Sequence, residues 1–282
     1  MADDHSDALS RRDFTALTVG ATGAAVLTTS AQAAEVIETD VTIKTADGSC
    51  DAALFHPAGK GAWPAVLIWP DALGLRPAFR DMGKRLAAEG YVVLVPNPFY
   101  RSRPAPVFPG PFDFANPDDR AKLALIRAPL TPAAVSRDAV TFLGFLDSQK
   151  VTNKKAKAGV QGYCMGGPMT MQTAAALPDR IGAGGSFHGG GLVTDAPDSP
   201  HLLVPKIKAR FYFGVAMNDD QRQPDAKDKL KAAFAATGVP AKIEVYDGAM
   251  HGWCVPGSAV YNQASAERAW GELLALYKAG LV

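Results

Sequence analysis

The chain has 282 residues, 48% of them apolar and 20% charged, with a formal net charge of +1. That profile is globular, and near-neutrality without a Lys/Arg stripe speaks against a nucleic-acid partner. No run reaches the roughly 18–20 apolar residues that a membrane-spanning helix requires.

At the N-terminus, Ser10-Arg11-Arg12-Asp13-Phe14 precedes a weakly apolar stretch from Leu17 to Thr29 and the small-x-small site Ala31-Gln32-Ala33. This is the layout of a secretory leader, and paired arginines with mild hydrophobicity point to the twin-arginine (Tat) route. Residues 1–33 are therefore expected to be a Tat-type signal peptide, residues 34–282 the folded domain, and the periplasm its address. Cleavage after Ala33 would remove two arginines and four aspartates, leaving a net charge of about +3. An oxidising compartment favours disulfides, but Cys50, Cys164 and Cys254 are an odd set. At least one thiol stays free, and a Cys50–Cys254 bridge is an open option.

Val36 to Lys44 and Asp51 to His56 alternate in strand fashion around Asp47-Gly48, which predicts a hairpin. Ala65 to Trp69 is a continuous apolar run, as expected of a central strand covered on both faces. Arg76 to Glu89 has helical spacing stopped by Gly90, and Tyr91 to Val95 reads as another buried strand. Phe99 to Leu130, rich in Pro, Phe and Arg, breaks the alternation and is expected to be an irregular, substrate-facing insertion. Beyond it, helices are predicted at Ala133 to Leu146, Met169 to Leu177, Asp225 to Ala236 and Ala264 to Lys278. Strands are predicted at Ala158 to Gly162, Ile181 to Phe187, Arg210 to Val215 and Ala241 to Tyr246. Repeated strand–helix–strand units imply an α/β domain with a mostly parallel sheet of about eight strands and helices on both faces.

Between a predicted strand and a predicted helix lies Gly162-Tyr163-Cys164-Met165-Gly166-Gly167. It is a nucleophile-elbow pattern, G-x-S-x-G, with cysteine in the serine slot. The glycines remove Cβ atoms that would clash as strand reverses into helix, and the helix N-terminus favours a thiolate. In the α/β-hydrolase fold that uses such elbows, the acid and then the histidine base follow the nucleophile in the chain. His251 lies in the loop after the last predicted strand, whereas His188 and His201 come too early for that order. The acid belongs after the strand ending at Val215, where Asp219 and Asp220 stand side by side. Spacing after the strand favours Asp219 as triad acid, and spacing before Pro224 favours Asp220. The oxyanion hole would be built from backbone N–H groups of Met165 and, in the Pro70 to Gly74 loop, Ala72.

These residues resemble the dienelactone hydrolase family: the cysteine elbow with paired following glycines, Pro64 to Arg101 including Asp71, Gly90-Tyr91 and Pro96 to Arg101, and the His251 loop. The resemblance covers about residues 35 to 282. It implies a Cys-His-Asp triad, here Cys164 and His251 with Asp219 or, as the alternative, Asp220, that hydrolyses a small ester or lactone through a thioester, without metal or organic cofactor. A monomer is compatible with this reading. The family's prototype carries, at the position of Asp71, a glutamate that touches the thiol in the resting enzyme. It also holds the substrate carboxylate with two arginines; Arg101 matches one, and Val255 stands at the other. Dienelactone itself is therefore not the expected substrate. Phe99, Tyr100, Trp253 and Cys254 are expected to line a more apolar pocket, with Asp71, Arg101 and Trp253 as substrate-binding residues. The competing readings are a periplasmic small-ligand-binding protein on a degenerate hydrolase scaffold, and a thiol amidase or peptidase.

Overall fold

The computed structural model describes residues 35–282, so the leader with Arg11-Arg12 and Ala31-Gln32-Ala33 lies outside the described residues. Eight strands form one sheet in the order β1-β2-β4-β3-β5-β6-β7-β8. The strands are β1 Val36–Thr45, β2 Gly48–Pro57, β3 Ala65–Trp69, β4 Val92–Pro96, β5 Ala158–Tyr163, β6 Ile181–Phe187, β7 Arg210–Ala216 and β8 Ala241–Tyr246. The β1–β2 hairpin is antiparallel and joins β4 antiparallel, while β4, β3, β5, β6, β7 and β8 run parallel.

Every residue of β3 and β4 is buried, because helices cover both faces of the sheet. Alternate side chains divide between two cores. Leu67, Trp69 and Leu94 face the layer of α3 (Pro132–Ser148), α4 (Gly166–Ala176) and α6 (Ala226–Thr237). Val66, Ile68, Val93 and Val95 face the layer of α1 (Pro77–Ala88) and α7 (Gln263–Gly280). Cys50 belongs to the first core and Cys254 to the second, and all three cysteines are free. The open option of a Cys50–Cys254 bridge is thereby corrected: the sheet separates the two thiols.

The segment from Phe99 to Leu130 is not irregular throughout. It contains helix α2, Pro117–Arg127, whose cap residue Asn116 accepts the Asp118 N–H at 2.8 Å. Pro117 opens the helix, and Asp118 and Asp119 favour its positive end. No residue of α2 is fully buried, so the periodic apolar stripe that betrays most helices is missing. Phe108, Phe112 and Phe114 pack edge to face in succession ahead of it, at centroid distances of 4.6 and 4.8 Å. No helix among the described residues is long and apolar enough to cross a membrane.

The parallel strands all point their carboxyl ends the same way, so the loops after β3, β5, β6, β7 and β8 meet at one edge of the sheet. In open α/β sheets ligands bind outside those ends.

Candidate active site

Strand β5 ends at Tyr163, and Cys164 takes a left-handed backbone conformation (φ 53°) before α4 begins at Gly166. Only a tightly enclosed turn holds a non-glycine residue there. The enclosure is visible at the neighbouring glycines. A Cβ on Gly162 would collide with the backbone carbonyl of Gly166, and one on Gly166 with the carbonyls of Trp69 and Pro70. Both would lie well inside van der Waals contact, so the G-x-C-x-G spacing is what lets strand, turn and helix close around the thiol.

His251 follows β8 in a loop reached through Gly248. Its Nδ1 lies 2.6 Å from Oδ2 of Asp219. Asp219 sits in the short helix α5 (Met217–Arg222), which starts where β7 ends. The two loops are stitched twice: Asn218 Oδ1 accepts the His251 N–H at 2.8 Å, and the Met217 N–H donates to the Ala249 carbonyl at 2.9 Å. Asp220 turns the other way and pairs with Lys227 at 2.7 Å. Of the two aspartates, Asp219 is the one on the imidazole.

Burial disfavours the charged ring of His251, but hydrogen bonds to Asp219 and to the Cys164 thiol outweigh it and push the His251 pKa up to about 10. With Nδ1 committed to Asp219, Nε2 is the ring nitrogen that serves Cys164. The three side chains thus form a connected line of thiol, imidazole and carboxylate, with the histidine inclined to keep its proton.

Met165 directly follows Cys164 in the chain, and Ala72 lies in the loop after β3. Among the described residues neither backbone N–H donates to a carbonyl in the turns and loops around the site. Met165 precedes the first turn of α4, where backbone donors have no intrahelical acceptor. Ala72 lies in a loop shaped by Asp71, which accepts the Leu73 N–H at 2.9 Å while its backbone carbonyl accepts the Gly74 N–H at 3.0 Å.

Asp71 itself does not engage the thiol. Arg76 grips its carboxylate bidentately at 2.7 and 2.8 Å, so it organises the loop that carries Ala72. Arg101 is also committed elsewhere: its guanidinium donates to both oxygens of Asp138, each at 2.7 Å, and twice to Asp47. The expectation of a free cation for a substrate carboxylate is corrected at this position. Trp253 is fully buried, stacked on Tyr246 at 4.8 Å and edge-on to His188 at 5.2 Å. It packs behind the site and does not line an open wall. Phe99, Tyr100 and Cys254 are likewise buried; Tyr100 donates to Asp138 at 2.8 Å. Asn218 and His188 are the site residues that sequence reasoning missed. Asn218 carries no motif, and His188 fails the chain-order rule that selects triad partners.

The model of the dienelactone hydrolase family matches residues 50–281. A protein of Synechocystis sp. named "Putative carboxymethylenebutenolidase" is 26% identical over 232 residues, which is 81% of this chain and 91% of that one. A protein of the same name from Methylorubrum extorquens is 29% identical over 280 residues, 94% of this chain and 91% of its own. The solved structure of a "Putative Dienelactone Hydrolase" from Klebsiella pneumoniae superposes with a TM-score of 0.75 at 21% identity, covering 86% of this chain and 99% of that one. The family model spans both cores, the elbow and the His251 loop, and the sheet carries the same fold: the protein is a hydrolase that belongs to the dienelactone hydrolase family.

Proposed function

We propose that the protein hydrolyses small, uncharged esters or lactones with Cys164 as nucleophile, His251 as acid and base, and Asp219 as the group that orients the imidazole. The observation that carries this reading is His251 bridging Asp219, at 2.6 Å, and the Cys164 thiol. The Cys164 thiolate attacks the carbonyl carbon, forming the C–S bond, and the oxygen takes the negative charge. The Met165 and Ala72 N–H groups receive that oxyanion, an interaction whose loss typically costs about 3–4 kcal/mol of barrier lowering per donor. Collapse breaks the C–O bond, and the His251 imidazolium protonates the departing alkoxide, which stays tethered if the substrate is a lactone. The neutral imidazole then takes a proton from water, whose oxygen attacks the thioester. The carbon–sulfur bond breaks, releasing the carboxylic acid and restoring thiolate and imidazolium.

An uncharged substrate follows from Arg101, whose donors are taken by Asp47 and Asp138. A substrate carboxylate would have to displace one of those partners. Export through the leader at residues 1–33 is part of the same proposal, resting on Arg11-Arg12 and Ala31-Gln32-Ala33.

The test is turnover of a short-chain aryl ester by wild type and Cys164→Ala, with a mass-spectrometric search for the acyl-thioester on the wild type. Loss of more than about a thousandfold in kcat is expected, together with an acyl adduct on Cys164. Turnover by Cys164→Ala at the wild-type rate sinks the reading.

A further inference from the structure

His188, one residue past the end of β6, is a buried histidine for which hydrolysis as described needs no role. Its ring is 1% exposed. Its backbone is left-handed (φ 39°), a conformation that non-glycine residues hold only under constraint. Its Nε2 has no hydrogen-bond partner among the described residues. A strained, buried polar ring with an orphaned nitrogen is an expensive choice where an apolar side chain would fill the space.

What the ring touches explains the choice. Nδ1 accepts the backbone N–H of Cys164 at 3.1 Å, a donor shared with the Phe187 carbonyl, also at 3.1 Å. The backbone N–H of His188 donates to the Gly214 carbonyl on β7 at 2.7 Å, two residues before that strand ends and α5 carries Asp219. The ring meets His251 edge to face at an interplanar angle of 63°, with centroids 5.1 Å apart, and Trp253 supports it at 5.2 Å. Because Nδ1 accepts, the ring proton of the neutral form sits on Nε2. Burial, with the adjacent His251 charge adding to it, holds the His188 pKa far below its ordinary value, so the ring remains neutral beside a protonated neighbour.

We propose that His188 is a positioning residue. Its Nδ1 holds the Cys164 elbow and its ring buttresses His251, so the side chain registers the nucleophile loop against the histidine loop, while the backbone N–H of the same residue ties the end of β6 to the strand that delivers Asp219. The inference rests on the Cys164 reading above.

The test compares His188→Phe with His188→Asn. Phenylalanine keeps a ring but offers no acceptor. Asparagine offers an acceptor and tolerates the left-handed backbone. With active thiols titrated by iodoacetamide, His188→Phe is expected to lose about 10- to 100-fold in kcat per thiol, the size of effect that small misplacements produce. KM should stay within twofold, Cys164 alkylation should slow in parallel, and His188→Asn should recover part of the loss. A merely structural role would lower the number of titratable thiols and leave kcat per thiol intact. Folded His188→Phe with wild-type kcat and alkylation rate overturns the proposal.

The second measurement needs no variant: a long-range 1H–15N spectrum of the wild-type histidines. A neutral His188 with its proton on Nε2 is expected, and a proton on Nδ1 overturns the proposal, since that nitrogen could not then accept from Cys164. Alkylation and tautomer are read without turnover. Failure of the ester-hydrolysis reading, seen with Cys164→Ala, is therefore distinguishable from failure of this one.

Discussion

The side chain of Asn218 accepts the backbone N–H of His251 at 2.8 Å, so the residue beside Asp219 fixes the backbone of His251. The bond is made to the main chain, so it sets where the imidazole begins and leaves its protonation to Asp219 and Cys164. Replacing Asn218 with alanine strands that N–H while the Met217–Ala249 backbone bond persists. Asn218→Ala is expected to lose about 1 kcal/mol of stability, as for a single net hydrogen bond. It should lose roughly tenfold in kcat through a displaced His251. Urea denaturation and steady-state kinetics on one ester measure both; unchanged kcat with the stability loss would leave Asn218 a structural residue only.

The adjacent aspartates separate cleanly. Asp219 holds His251 at 2.6 Å, whereas Asp220 holds Lys227 at 2.7 Å. Asp219→Asn keeps the shape but offers an amide to Nδ1, which disfavours the tautomer and the cation that the reaction uses. A fall in kcat of about two to four orders of magnitude is expected. Asp220→Asn removes only a partly exposed, solvent-screened ion pair and should retain kcat within twofold. Kinetics on the two variants side by side decide it, and the reverse pattern would move the triad acid to Asp220.

The pH profile follows from the His251 shift. The pKa of this histidine is raised, from an ordinary value of 6.5 to about 10, so the folded protein binds its proton more tightly than the unfolded chain does. The stabilisation is fully present below the ordinary value and is lost as pH rises through the folded value. In the proposed mechanism, the imidazolium that would protonate the leaving alkoxide disappears over the same upper range. For an ester with a poor leaving group, kcat/KM should therefore hold level to about pH 9 and fall through about pH 10. The stability advantage of wild type over His251→Asn should shrink between about pH 6.5 and 10. An activity that instead rises through about pH 6.5 to a plateau would indicate a neutral histidine acting as base on a protonated thiol.

How much of this was legible in the sequence depends on the kind of signal each residue leaves. The run Ala65–Trp69 forms β3, because a strand buried on both faces must be apolar at every position. The elbow was legible because its glycines are demanded by backbone contacts, which leave a mark at fixed spacing. Helix α2 was missed because it packs no full apolar face, and its only signals were the cap Asn116, Pro117 and two aspartates. The choice between Asp219 and Asp220 stayed open because consecutive helical residues project about 100° apart, and helix phase is set by the β7 junction and leaves no mark in the sequence. Trp253 was expected at the pocket, but an aromatic residue beside a site residue can equally point inward. Here the stack on Tyr246 takes it into the core. His188 was set aside by chain order, a rule that finds proton carriers and is blind to a ring that acts through a backbone N–H.

Arg101 offers the sharpest contrast between a binding role and a structural one. Its guanidinium closes on Asp138, whose side chain is only 2% exposed, and on Asp47 at the tip of the β1–β2 hairpin. Tyr100 gives Asp138 a further hydrogen bond, but a hydroxyl cannot neutralise a buried carboxylate. Arg101→Met keeps the length of the side chain and removes the charge, leaving Asp138 an uncompensated buried anion. That situation typically costs about 3–5 kcal/mol. The expected result is a large drop in the urea midpoint with little change in KM for a neutral ester, measured where the variant is still folded. Pairing the change with Asp138→Leu should restore most of the stability, because the buried charge is then gone from both sides. A substrate-binding arginine behaves the other way: KM for a carboxylate-bearing ester rises, the midpoint hardly moves, and the second substitution rescues nothing.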